Sequence, residues 1–389
     1  MLNKNYLIEK QIPVSNLFPS SFSKSLIESN QKDQIVSDES IDSNRVWSNA
    51  KEIIAQIFDI TVKEIELKEF FEGSFNIVFR FQAATWDYAL RIRIRDSDFG
   101  FEKIAKEPFA ILALQNPNSS DQNIGTTIQN LYQQKYCDFM EHPFVGKVYY
   151  SNWSKRIKTL PYTFSIYEWK EGKPLYSVPK PQYFEAAGKL LAEFHQRTFS
   201  SCYLTITDIG TKPFSLKDEI LNTATQQYKT SLMNGGSETL LNELIEWINT
   251  YTCNLLPNYE AVFCHYDFSG SNIVVDEDQS AVFALDFDNW RVSVCETDFP
   301  KLFHWTIIDP LTGKRTSSPE RIEDFMRGYR TGGGIINEQL LHLKEAEWLL
   351  RVYAHSLLQE RTNSEKYRHS SFPSSRYYEQ AIFALLQKV

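Results

Sequence analysis

The sequence predicts an α+β fold with two lobes, a small antiparallel sheet followed by a larger, mainly helical part. Two observations support this prediction. Between residues 65 and 94 the chain forms three strand-like segments that are separated by two turns. After Pro181 the apolar residues recur at three- and four-residue intervals over long stretches, which is typical of helices. This change of period indicates that the strands come first and the helices later.

The individual elements follow from the same patterns. Strands are predicted at residues 65–71, 77–81, 88–94, 146–150 and 162–169, and a helix at 102–114. Helices of the second part are predicted at 184–196, 216–230, 239–255, 319–329 and 337–359. Short strands are predicted between them, at 261–264, 273–275 and 281–285.

The chain divides into three predicted parts. Residues 1–45 include a stretch rich in Ser, Asn, Asp and Gln, which predicts an extension that is either disordered or draped over the main domain. Residues 46–169 form the sheet-containing lobe, which begins with a helical pattern at 46–57. Residues 170–389 form the helical lobe.

Composition limits the partners of the protein. The net charge of −8 disfavours general binding to nucleic acid or to an anionic membrane. The five cysteines are odd in number and form no CxxC pair, which favours reduced thiols over a disulfide framework or a structural zinc site. No secretory signal pattern and no run of eighteen apolar residues is present. We therefore expect a cytoplasmic protein without membrane or nucleic-acid partners.

The strongest chemical signal lies between Cys264 and Asp288. Asp267 stands on a tight loop, Asn272 enters a strand five residues later, and Asp286 ends the next strand. Phosphoryl transfer needs a metal against the phosphates and an acceptor hydroxyl that is oriented in line. One carboxylate can receive the hydroxyl proton, while an amide oxygen and a second carboxylate bind the metal. Each residue alone could be an ordinary turn or cap residue, but their order and spacing favour the functional interpretation.

The pattern HxDxxxxN, followed by a strand that ends in an acid, resembles the aminoglycoside phosphotransferase and choline kinase group, relatives of the protein kinases. The resemblance implies a bilobal protein-kinase-like fold, ATP or GTP and Mg²⁺ as cofactors, and phosphoryl transfer to a small molecule. It implies that Asp267 is the catalytic base, that Asn272 and Asp286 bind Mg²⁺, and that His265 supports the loop. Asp298 resembles the acid that begins a helix near the catalytic loop of this family.

The turn between the first two strands resembles the family's Gly-x-x-Asn turn, so Gly73, Ser74 and Asn76 are predicted to cover the nucleotide phosphates. A plain hairpin turn is the equal alternative. Arg91 is predicted to replace the phosphate-binding lysine of protein kinases. One face of this alternating strand carries Arg91, Arg93 and Arg95, so the phosphate-binding position could be shifted by two residues. An exposed basic face is an equal alternative for Arg93 and Arg95.

Three further residues complete the predicted nucleotide site. Glu107 is the predicted partner of Arg91, with Glu102 as the second choice. Because Pro108 follows Glu107, the helix is expected to begin at Glu107. Residues 162–175 resemble the interlobe hinge of the family, which implies that Glu168 and Trp169 lie nearest the nucleotide base.

The predicted acceptor is a small molecule such as an aminoglycoside, an amino alcohol, a sugar or a natural product. In the family, acidic residues of the helical lobe usually recognise amines, and Asp288, beside the metal pair, is predicted to contact the acceptor. Ordinary structural roles are favoured for three other acids, Glu296, Asp309 and Glu360. The alternative function is a catalytically weak kinase-like binding or structural protein; the intact Asp267, Asn272 and Asp286 favour the enzyme.

Overall fold

The structure is a computed structural model that describes residues 42–72, 76–94, 102–143, 145–154, 157–254 and 259–387. These residues form two compact units, one of residues 42–115 and 127–170 and one of residues 116–126 and 171–387. The first contains an antiparallel sheet and the second is mainly helical, so the predicted fold class is confirmed. Across these described residues, the chain contains no helix with the length and apolar character needed to cross a membrane.

A seven-stranded antiparallel sheet dominates the first unit. Its strands are β1 (Ile65–Glu72), β2 (Asn76–Ala83), β3 (Trp86–Arg93), β4 (Tyr136–Cys137), β5 (Met140–His142), β6 (Gly146–Asn152) and β7 (Thr163–Glu168). Their order is β1-β2-β3-β7-β6-β4, and β5 pairs with β6. Every second residue of β2, from Ile77 to Ala83, is buried, because successive side chains of a strand point to opposite faces.

Helix α1 (Ser43–Phe58) packs its apolar side against this sheet, with Trp47 stacked on Phe79 at a centroid distance of 5.2 Å. It begins three residues before the predicted start. The cause is Asp42, whose carboxylate accepts hydrogen bonds from the backbone N–H groups of Asn44 and Arg45, at 3.0 and 3.3 Å. Residues 1–41 of the predicted extension lie outside the described residues.

Helices α2 (Glu102–Gln115) and α3 (Asp121–Gln134) follow β3. The helix predicted at 102–114 is confirmed, whereas the expectation that Pro108 makes it begin at Glu107 is wrong, because α2 begins at Glu102 and has Pro108 in its interior. A proline there removes one intrahelical hydrogen bond. The helix continues because the residues after the proline, including Phe109 and Ile111, are fully buried, and tertiary packing supplies most of the stability of a helix in a protein. Helix α3 was not predicted.

Among the described residues after 170, the second unit contains eight α-helices and eight short strands. The helices are α4 (Pro181–His195), α5 (Leu216–Met233), α6 (Glu238–Cys253), α7 (Phe299–His304), α8 (Pro319–Thr331), α9 (Glu338–Thr362), α10 (Ser364–Arg368) and α11 (Ser375–Gln387). The strands are β8 (Lys173–Pro174), β9 (Thr198–Phe199), β10 (Ala261–Cys264), β11 (Ile273–Asp276), β12 (Ala281–Ala284), β13 (Arg291–Ser293), β14 (Ile307–Ile308) and β15 (Arg315–Thr316). They form the sheets β13-β10-β9, β12-β11-β8 and β14-β15.

Helices α4 and α8 cross at two glycines. A Cβ atom on Gly188 would lie 2.1 Å from the carbonyl oxygen of Phe325, and one on Gly328 would lie 2.0 Å from that of Glu185. Neither position can therefore carry a side chain without separating the helices. This close crossing brings His195, at the end of α4, into hydrogen-bonding distance of Tyr329 on α8 (2.8 Å).

Candidate catalytic site

The loop between β10 and β11 is organised by a buried imidazole. The Nε2 atom of His265 lies 3.0 Å from the carbonyl oxygen of Leu285, and its Nδ1 atom lies 3.3 Å from the backbone nitrogen of Asp267. Since Nδ1 accepts from that N–H, the proton of the neutral ring is on Nε2, which donates to Leu285. Burial lowers the pKa of His265 and so favours this neutral form. The ring connects the loop of Asp267 to the residue before Asp286.

Two more hydrogen bonds bring Asn272 to the same place. Its side-chain Nδ2 donates to the backbone carbonyl oxygen of Asp267 at 2.9 Å, and its backbone carbonyl oxygen accepts from the backbone N–H of Leu285 at 2.8 Å. Asp286 follows Leu285 and has a left-handed backbone, with φ at 62°. The structure therefore brings together the three residues predicted to act on the phosphates, Asp267, Asn272 and Asp286.

Asp298 anchors the start of the loop. Its carboxylate accepts hydrogen bonds from the backbone N–H groups of His265 and Tyr266, at 2.8 and 2.5 Å. It also lies 3.2 Å from Nε2 of His195, whose Nδ1 lies 2.8 Å from the hydroxyl of Tyr329. Tyr266 has a φ of 65°, which is uncommon for a residue with a side chain. The buried carboxylate of Asp298 stabilises this conformation.

Lys301 is a site residue that the sequence reasoning missed. Its ammonium group forms an ion pair with Oδ1 of Asp267. Burial, and then the charges of Arg315 and Arg351, lower the pKa of Lys301 to about 7, whereas the carboxylate in direct contact favours its charged form. An ion pair in direct contact favours the charged forms of both of its members. The available signal was the position of Lys301 three residues after Asp298, in the first turn of α7.

In the first unit, Asn76 and Arg91 lie on the neighbouring strands β2 and β3. With the amide of Asn76 oriented to satisfy both groups, its oxygen accepts from Nε and Nη2 of Arg91, at 3.2 and 2.8 Å. Arg91 and Arg93 are both buried, so the exposed basic face considered for Arg93 is wrong. The remaining predicted residues of this region, Gly73, Ser74 and Arg95, lie outside the described residues.

The other predicted nucleotide residues also lie in the first unit. Glu107 is buried on α2, and its pairing with Arg91 stays a prediction. Glu168 ends β7 and forms an ion pair with Lys170 at 2.7 Å. Trp169 donates its backbone N–H to the carbonyl oxygen of Asp87 at 3.3 Å, and the guanidinium carbon of Arg80 lies 4.7 Å from its ring centroid. Glu168 and Trp169 therefore lie together at the end of one strand.

A known protein family matches most of the second unit. Residues 154–338 match the model of a family described as the phosphotransferase enzyme family. The predicted resemblance is confirmed. The match includes the whole loop of Asp267, together with Asn272, Asp286 and Asp298, and it confirms the predicted enzyme class, a phosphotransferase. No curated protein sequence matches the chain.

Solved structures of similar fold include kinases of small molecules. An ethanolamine kinase of Plasmodium vivax is 16% identical with a TM-score of 0.56, over 96% of this chain and 98% of that one. The aminoglycoside phosphotransferase APH(4)-Ia is 13% identical with a TM-score of 0.55, over 88% and 98% of the two chains. A spectinomycin phosphotransferase in complex with ADP and spectinomycin is 14% identical with a TM-score of 0.51, over 82% and 93%. At such identities the likeness shows the fold.

The acids considered for the acceptor have different surroundings. Asp288 is buried in the single 3-10 turn Phe287–Asn289, and its contact with the acceptor stays a prediction. Glu296 and Asp309 accept backbone hydrogen bonds from Asn337 and Leu311, at 2.7 and 2.9 Å. Glu360 accepts one from the backbone of Ser375 at 2.8 Å. These three acids have the ordinary structural roles that were favoured for them.

The buried His265 predicts a pH dependence of stability. Its ordinary pKa is 6.5 and its folded pKa is lower, so below pH 6.5 the unfolded chain binds a proton that the folded chain does not. The free energy of unfolding therefore falls as the pH falls below 6.5, by up to about 1.4 kcal/mol per pH unit for this group. The free energy of unfolding, measured with urea, should fall less between about pH 7.5 and pH 5.5 in His265→Gln than in the unaltered protein. An unchanged loss would contradict this role of the buried ring, and His369→Gln, at an exposed position, is the control.

Proposed function

We propose that this protein transfers the γ-phosphoryl group of ATP or GTP, in the presence of Mg²⁺, to a hydroxyl group of a small molecule. The main support for the proposal is the geometry of one loop, in which His265 and Asp298 hold Asp267 beside Asn272 and Asp286. The kinases of similar fold act on ethanolamine and on aminoglycosides, and one of them is in complex with ADP, which supports a nucleotide donor and a small acceptor.

Asp267 would act as the general base. As the acceptor oxygen bonds to the γ-phosphorus, the bond from that phosphorus to the bridging oxygen of the β-phosphate breaks, and the hydroxyl proton passes to the carboxylate of Asp267. The ion pair with Lys301 would favour the ionised form of this carboxylate before the reaction. The hydrogen bond of Asn272 to the backbone of Asp267 fixes the distance between the base and the proposed metal ligands.

Asn272 and Asp286 would bind the metal. Because Nδ2 of Asn272 already donates to a carbonyl oxygen, its amide oxygen is directed away from that bond and is left as the ligand atom. An amide oxygen and a carboxylate are hard oxygen donors, which fit Mg²⁺ better than a softer metal such as zinc. When bound, Mg²⁺ would neutralise charge on the phosphate oxygens.

The first unit would bind the nucleotide. Asn76 and Arg91, with Gly73 and Ser74, would contact the phosphates, and Glu107 would position Arg91. Glu168 and Trp169 would lie against the base. The cytoplasmic location and the absence of nucleic-acid and membrane partners also stay predictions.

Nucleotide binding tests the proposal independently of the acceptor. We expect Mg·ATP or Mg·GTP to raise the melting temperature, because a ligand at 100 times its Kd stabilises the folded state by about 2.7 kcal/mol. Arg91→Met should reduce this shift, whereas Lys63→Met, at an exposed position of the same unit, should not. No shift with either nucleotide would favour the alternative, a kinase-like binding or structural protein.

A further inference from the structure

The surroundings of Asp267 within the second unit are cationic. Its partner Lys301 lies against the ring of Trp305, with Nζ at 5.3 Å from the centroid, and the guanidinium carbon of Arg315 lies 4.9 Å from the same centroid. Arg351 donates a hydrogen bond to the hydroxyl of Tyr266, the residue before Asp267, at 3.1 Å. Both arginines are close enough to Lys301 to lower its pKa. Asp267 therefore contacts one cation, and two arginines lie near that cation.

Each of the neighbouring acids is in contact with another side chain. Glu345 pairs with His304 at 3.0 Å, Glu347 with Lys344 at 2.8 Å, and Glu219 with Arg291 at 2.6 Å. In the part of the chain that the structure describes, no carboxylate lies within ion-pair distance of Arg315 or Arg351. Neither arginine therefore has a carboxylate in direct contact, although the carboxylate of Glu347 lies near Arg351.

The two arginines also keep hydrogen-bond donors for a ligand. A guanidinium group has five N–H donors, and Arg315 uses Nε for the hydroxyl of Ser371, at 3.3 Å, while Arg351 uses Nη1 for Tyr266. Both side chains are half-buried, so they remain accessible. Arg351 lies in the wall of a small cleft beside the catalytic loop. The residues that line this cleft are Tyr266, Thr297, Lys344, Glu347, Trp348 and Arg351.

We propose that the phosphate acceptor is an anionic alcohol, whose carboxylate or phosphate group binds Arg315 and Arg351 while its hydroxyl group meets Asp267. The inference rests on the proposed function and names its substrate class. It departs from the amine acceptors that the family resemblance implies, since an ammonium group would be repelled by the same cations. Planar, forked guanidinium groups are suited to bind carboxylate and phosphate oxygens.

Acceptors matched in size and different in charge test this inference. The three-carbon series is glycerate, glycerol 3-phosphate, glycerol and 3-amino-1,2-propanediol, and the six-carbon series is gluconate, glucose 6-phosphate, glucose and glucosamine. Acceptor-dependent release of ADP is measured with Mg·ATP. We expect an anionic member to exceed its neutral and ammonium counterparts by about tenfold or more in kcat/KM, the scale of one charge-assisted hydrogen bond. The higher kcat/KM of the carboxylate or of the phosphate compound identifies the anionic group that the site binds.

Variants of the two arginines connect the preference to these side chains. Arg315→Gln and Arg351→Gln should each lower kcat/KM for the anionic acceptor about 10- to 100-fold. Lys at either position should restore part of this loss. The rise in melting temperature with Mg·ATP should be unchanged in all of these variants. Arg330→Gln, at an exposed position of α8, is the control. A preference for ammonium or neutral members, equal rates, or no transfer to any anionic member overturns the inference. If the Mg·ATP shift persists in that case, the proposed function stands; if it is absent, the proposed function itself fails.

Discussion

Asp267→Asn should bind Mg·ATP as tightly as the unaltered protein and lose phosphoryl transfer. The amide has the shape of the carboxylate and keeps an oxygen for Lys301, but it cannot receive the hydroxyl proton. General-base catalysis is worth about 10²- to 10⁴-fold, and we expect kcat to fall by a factor in this range. The measurements are the melting-temperature shift with Mg·ATP and the rate of ADP release with a saturating acceptor.

Asp278→Asn is the matched control for this substitution, since Asp278 is exposed in the turn after β11. It should change neither quantity. If Asp267→Asn transferred phosphate as fast as the unaltered protein, the assignment of the base would be wrong. Loss of the nucleotide shift in Asp267→Asn would instead indicate that the substitution disturbs the site as a whole.

Asp298→Ala should have the largest effect on stability. The substitution leaves two buried backbone N–H donors, of His265 and Tyr266, without their acceptor, and it removes one of the two side-chain partners of His195. Each buried donor that loses its acceptor costs about 1–3 kcal/mol, so the two together cost about 2–6 kcal/mol. Urea unfolding measures this loss. Because Tyr266 would no longer be held in its left-handed conformation, we also expect transfer to be lost at temperatures at which the variant is still folded.

Asp324→Ala separates a local effect of Asp298 from a general loss of stability. Asp324 is a buried acid of α8 that pairs with Arg321 and Arg327, and these ion pairs do not involve residues of the catalytic loop. It should lower the free energy of unfolding and preserve transfer in the folded protein. If folded Asp298→Ala retained transfer as Asp324→Ala does, the loop would not depend on the carboxylate of Asp298.

The parts of the fold that the sequence predicted are those that depend on local pattern. The strands around Arg91 alternate, and the spacing of Asp267 and Asn272 is set within one loop, so both can be read along a few residues. Pro108 led to a wrong start for helix α2. The burial of the residues that follow Pro108 outweighs the unfavourable effect of a proline inside a helix. Local pattern is informative only where tertiary packing agrees with it.

The contacts that complete the site are tertiary and could not be read in this way. The carboxylate of Asp298 is bonded to backbone groups 32 and 33 residues away, and Lys301 pairs with Asp267 across 34 residues. Arg351 contacts Tyr266 across 85 residues. No periodic pattern in the sequence indicates contacts between residues so far apart in the chain. The cationic surroundings of Asp267 therefore became visible only in the folded chain, although the net charge of the protein is −8.

We expect the loop of Asp267 to transfer phosphate to a small hydroxyl compound. Release of ADP from Mg·ATP, measured across a panel of anionic, neutral and cationic alcohols, tests it most directly. We expect release that depends on both an acceptor and Mg²⁺, together with formation of the phosphorylated acceptor. A protein that binds Mg·ATP but releases no ADP with any acceptor would contradict this expectation, and it would favour a kinase-like binding protein instead.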